Sequence, residues 1–155
     1  MGVKDFNRIN THYITDFSYL FVPMDPGEID ISGWDVSNGK YFRYMFKNCK
    51  NLKCDVSNWD VSNGIDFEGM FYECKWMEGD FRNWNFKNAL RMDYMFYNCR
   101  RILLNPEQYV TGNCAYFPKT NEELKKLVIK FLSYGEKDLN FIDVSGIEDF
   151  SGIFS

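Results

Sequence analysis

The large apolar residues of this chain recur at a fixed step of 25 positions. Trp34, Trp59 and Trp84 mark the step, and four further columns keep it: Met45, Met70 and Met95; Phe46, Phe71 and Phe96; Cys49, Cys74 and Cys99; and Leu52, Met77 and Ile102. Five columns in one register define an internal repeat. Each unit reads W-D-V-S-N-G-x-x-F-x-x-M-F-x-x-C-x-x-L-x-x-x-V-x-N, giving full repeats at 34–58, 59–83 and 84–108. The third copy drifts, with Asn85-Phe86-Lys87 in place of Asp-Val-Ser and Met92 in place of the inner Phe. A partial first repeat occupies 9–33, opened by Ile9 to Phe21, and a partial last repeat occupies 139–155 after an insertion.

One such unit cannot bury its own apolar positions, whereas stacked units align each column into a continuous core. The expected fold is therefore a repeat solenoid, leucine-rich-repeat-like, with short parallel strands and turns stacked at the 25-residue period as a single domain over 1–155. Neighbouring strands about 4.8 Å apart place Cys49, Cys74 and Cys99 above one another as small buried hydrophobes. Asn38-Gly39 and Asn63-Gly64 predict tight turns at positive φ, capped by the carboxylates of Asp35 and Asp60.

The insertion carries the one helical pattern, over 119–135. Thr120 and Glu123 have the spacing of a capping box, and Leu124, Leu127, Val128, Phe131 and Leu132 make one apolar stripe. Gly135 suits the C-terminal cap. Because the ends of a stack expose apolar surface, this capping α-helix is expected to lay its stripe on the last full repeat.

Composition narrows the function classes. With 45% hydrophobic and 19% aromatic residues among 155, the chain has material for a core, and it is not that of a disordered protein. A net charge of −4 gives no electrostatic case for nucleic acid or an anionic membrane as partner. No apolar run is long enough for a bilayer span, and the first residues lack the apolar core of a secretory leader. The expected location is intracellular, with reduced thiols. Five cysteines are an odd count for a disulfide framework, and Cys54 and Cys114 fall outside the ladder. No cofactor or metal is expected, since the cysteine spacing does not match a zinc site and the aspartate column is explained by its turns.

The pattern W-D-V-S-N…F-x-x-M-F-x-x-C-x-x-L resembles the bacterial surface-protein repeat of about 26 residues, a relative of the BspA-like leucine-rich repeats. The likeness covers Ile9 to about Ile102 and Leu139 to Phe154, and Thr120 to Val128 is similar to the helix that opens such arrays. The resemblance implies binding or adhesion without enzymatic activity, and it supplies no catalytic residues. Lacking a leader and a lipobox cysteine near the start, the chain is more similar to versions encoded by large DNA viruses. That likeness implies a place in a host cell or virion.

The residues themselves point the same way. His12 is the one histidine, and no nucleophile elbow, phosphate-binding loop or metalloprotease motif occurs. The expected function is a non-enzymatic protein–protein interaction module with a protein partner. Its candidate surface joins the basic column Lys50, Lys75 and Arg100 to Tyr44, Tyr72, Trp76, Tyr94 and Tyr97, because exposed aromatics favour interfaces. The bland alternatives are a solvated charged face and tyrosines packed on neighbouring units. A second function is structural or particle-associated, with homo-oligomers forming through the C-terminal half-repeat at Ile142, Val144, Ile147, Phe150, Ile153 and Phe154.

Overall fold

A unit of this repeat has no apolar run long enough for an ordinary strand, so its backbone must find partners in the units on either side. The computed structural model describes residues 2–104, 120–133, 144 and 147. Cys114, Gly135, Ile142, Phe150, Ile153 and Phe154 lie outside the described residues.

The 25-residue step is the pairing register of the backbone. Parallel bridges join Asp16 to Tyr41, Tyr41 to Asp66 and Asp66 to Arg91. The N–H groups of Phe17, Phe42 and Phe67 donate to the carbonyls of Tyr41, Asp66 and Arg91 at 2.8, 2.7 and 2.8 Å. A second column begins with strands β1 (Lys4–Asp5) and β2 (Ile29–Asp30), which pair in parallel with Lys4 opposite Ile29. The register therefore extends upstream of Ile9. It continues from Glu28 to Lys53 and then stops, and among the described residues nothing bridges 53–55 to 78–80.

Strands β3 (Glu78–Asp80) and β4 (Arg101–Leu103) resume the column out of step. Glu78 pairs with Arg101 rather than with Leu103, the residue one full step on.

The repeated columns form the core. Phe42, Met45, Phe46, Phe67, Met70, Phe71, Met95 and Phe96 are fully buried. The rings of Phe21, Phe46, Phe71 and Phe96 stack at 5.0, 5.3 and 5.5 Å, close to the spacing of neighbouring strands. Trp34, Trp59 and Trp84 stack at 6.3 and 6.4 Å. A buried indole needs an acceptor, and their Nε1 groups donate to the carbonyls of Phe6, Ile31 and Val56 at 3.0–3.1 Å. Thr11 occupies the valine column of the first unit, where its hydroxyl donates to the Asp35 carbonyl at 2.9 Å.

The turns differ from the sequence expectation in one respect. Positive φ does not fall on Gly39 or Gly64; among the described residues it falls on Gly27 and on two other columns, Tyr19, Tyr44, Gly69 and Tyr94, and Asn48, Glu73 and Asn98. Gly39 and Gly64 answer a demand for space, because a Cβ there would collide with the rings of Phe42 and Phe67. The carboxylates do brace the turns. Asp35 and Asp60 accept from the Ser37 and Ser62 amides at 3.0 Å. A second aspartate column at Asp5, Asp30, Asp55 and Asp80 does the same for Asn7, Ser32, Ser57 and Arg82.

Helix α1 spans Asn121–Ser133. The Glu123 amide donates to Thr120 Oγ1 at 3.2 Å, the N-cap bond the sequence predicts, and Lys126 pairs with Glu122 at 3.0 Å. Leu124 is buried in the main core and Val128 packs against it. Leu132 is exposed, so the apolar stripe does not run on to that residue.

Candidate partner-binding surface

The backbone is left-handed at Tyr19, Tyr44 and Tyr94, the same position in three units. Their column runs beside that of Lys47, Tyr72 and Tyr97, and together the two carry an aromatic strip. Tyr19 and Tyr44 lie 5.6 Å apart between ring centroids. Tyr72 and Tyr97 stack at 4.8 Å with planes 13° apart, and Tyr94 meets Tyr97 edge-on at 6.1 Å. Lys47 joins the two halves, with Nζ 4.7 Å from the centre of Tyr44 and 5.7 Å from that of Tyr72.

Polar contacts hold the strip in place. The Tyr44 hydroxyl donates to Glu68 Oε1 at 2.8 Å, and Arg43 Nη2 donates to the same oxygen at 3.0 Å. The hydrogen bond to Glu68, then partial burial, then the charge of Glu68 push the Tyr44 phenol above its ordinary pKa. The Arg43 guanidinium also lies over the Tyr44 ring at 5.2 Å. Tyr44, Tyr72 and Tyr97 are half-buried, and Tyr94 is exposed.

The remaining candidate residues form a second group. Trp76 is exposed, with the Arg100 guanidinium 4.7 Å and the Lys75 ammonium 5.7 Å from its ring. Lys50 is exposed and shares no cation–π contact with either group. The basic column is thus divided, two of its members being paired with Trp76. Sequence reasoning passed over Tyr19, Arg43, Lys47 and Glu68. Tyr19 was open to discovery, since it stands one full step before Tyr44.

Trp76 also borders an open cleft of about 470 Å³ where the β1–β2 column breaks off. Glu28, Asp30, Lys53, Cys54, Asp55 and Glu78 line it. Cys54 is half-buried, and burial pushes its thiol up to about 12. Cys49 and Cys74 are buried, and Cys99 is half-buried. Their Sγ atoms donate to the carbonyls of Met24, Phe46 and Phe71 at 3.1, 2.9 and 3.1 Å. His12 lies at a turn with Nδ1 2.7 Å from Asp35 Oδ2. Among the described residues, no group of three or more His, Cys, Asp or Glu could hold a metal ion.

Two residues proposed for a C-terminal association edge are described. Val144 is exposed, and Ile147 is buried with the core. No helix among the described residues is long and apolar enough to cross a membrane.

The sequence model of one family matches residues 1–109, and its description reads "Mycoplasma protein of unknown function". No curated protein and no solved structure matches the chain.

Proposed function

We propose that this chain, which belongs to the Mycoplasma protein family DUF285, also called the BspA-like or Mycoplasma repeat family, is a non-enzymatic protein-interaction module. In this reading the stacked units form a short repeat solenoid, and one face of it recognises a protein partner. The observation that carries the proposal is the continuous strip Tyr44–Lys47–Tyr72–Tyr97–Tyr94. Tyrosine supplies large contact area for few rotatable bonds, and here ring stacking and the Glu68 hydrogen bond restrict the side chains further. Such preorganisation lowers the entropy cost of association.

The test compares the proteins captured from cell extract by the wild-type chain with those captured by Tyr94→Ala/Tyr97→Ala. Neither residue belongs to the buried core, so the variant should keep the wild-type circular dichroism. A partner retained by the wild type and lost from the variant supports the reading. An identical set of captured proteins overturns it.

A further inference from the structure

Arg43, Arg82 and Arg91 each hold a carboxylate of their own chain, Glu68, Asp80 and Asp66, at 3.0, 2.6 and 3.3 Å. Lys50, Lys75 and Arg100 do not. All three are exposed and follow one another at the repeat step, and none pairs with a carboxylate among the described residues. Asp25, one step before Lys50, and Glu73, two residues before Lys75, are engaged elsewhere. Asp25 Oδ2 accepts from the Asn51 amide and side chain at 3.1 and 2.9 Å, and Glu73 Oε2 accepts from Asn98 Nδ2 at 3.0 Å.

The slip of the third unit gathers two of these cations at one ring. Because Glu78 pairs with Arg101 and not with Leu103, Arg100 comes alongside Met77, whose carbonyl accepts from its amide at 3.0 Å. Its guanidinium then lies 4.7 Å from the centre of the Trp76 ring, with the Lys75 ammonium at 5.7 Å. Like charges held at one indole repel each other, and the negative face of the ring offsets only part of that repulsion. A carboxylate from outside would offset more, through charge-assisted hydrogen bonds that arginine can make in pairs. Trp76 itself is 40% exposed. Tryptophan and arginine are among the residue types that most often dominate binding energy at protein interfaces. The chain as a whole carries a net charge of −4, so the field beyond this patch disfavours a long polyanion and leaves room for a short acidic one.

We propose that Lys75, Trp76 and Arg100, with Lys50 one step away, dock a short acidic segment of a partner protein. Carboxylates of the segment meet the cations, and the indole packs against its apolar stems. This group shares no residue with the tyrosine strip, and it binds whether or not that strip does.

A fluorescently labelled oligoglutamate peptide titrated with the full chain should give saturable anisotropy, and its affinity should fall about fivefold between ~50 and ~200 mM salt as exposed charges are screened. Arg100→Gln and, separately, Lys75→Gln should each weaken binding by ~5-fold or more, and Trp76→Ala by ~10-fold. These positions are exposed, so circular dichroism should be unchanged, and either charge variant decides the matter if the other misfolds. Tyr94→Ala/Tyr97→Ala should bind the peptide as the wild type does. Oligolysine and a single-stranded DNA of matched length should not bind at the same concentrations. The proposal is overturned by a peptide that does not saturate, by charge variants that bind as well as the wild type, or by equal affinity for the DNA. Loss of binding in the tyrosine variant would overturn it too, by assigning the peptide to the strip.

Discussion

The ring of Tyr44 occupies the space that a Cβ on Gly69 would fill. Gly69 is the one member of its column that is not tyrosine, and it shares that column's left-handed backbone. The missing side chain gives Tyr44 a bed one unit away, from which its hydroxyl reaches Glu68.

Gly69→Ala should therefore lower stability by ~1–3 kcal/mol, part from the left-handed backbone and part from displacing the Tyr44 ring. In a double-mutant cycle with Tyr44→Ala the collision is gone, so the cost of the glycine substitution should shrink. Urea titrations of the four proteins read both terms. Strictly additive costs would show that the two residues do not compete for the same space.

Trp59→Phe should destabilise the chain by ~2–4 kcal/mol, because the buried Ile31 carbonyl loses its donor and a smaller ring leaves a void between Trp34 and Trp84. The transition midpoint in urea should fall while its slope stays constant. A cost under about 0.5 kcal/mol would count against the indole bond.

Acid stability should depend on Asp35. The Ser37 hydroxyl, then His12, then the Ser37 amide hold its carboxyl down to about 2 from its ordinary 3.8. A folded-state pKa below the unfolded one means that the unfolded chain binds the proton first. The contribution is complete above 3.8 and is lost as pH falls through about 2. Asp35→Asn keeps an acceptor for Ser37 but cannot titrate, so its stability should fall less steeply with acid over that window. Parallel acid limbs for variant and wild type would refute this.

Cys49 should resist alkylation in the native state. Burial, and secondarily the charge of Asp25, push its thiol up to about 12. At pH 8 its labelling by iodoacetamide, followed by peptide mass mapping, should be at least ~100-fold slower than in guanidinium. Equal rates would show that the cysteine column is open to solvent.

Five columns of the core could be read from the chain alone, because burial between stacked units demands a bulky apolar residue at the same place each time. The same logic placed Tyr72 over Tyr97, which are one step apart. It also foresaw that Asp35 and Asp60 brace their turns, since a short carboxylate two residues before an amide is a local arrangement.

Contacts between columns were a different matter. That Lys47 joins Tyr44 to Tyr72 depends on the left-handed turns at Tyr44 and Asn48, residues whose types do not announce that conformation as a glycine would. The glycines that the sequence does announce, Gly39 and Gly64, prove to be governed by the rings of Phe42 and Phe67. The early pairing of Arg101 with Glu78 was equally hidden, because it arises where the ladder loses its step. A periodic sequence determines which residues lie one unit apart. Which side chains meet across a turn depends on the path of the backbone between columns, and only the tertiary structure decides it.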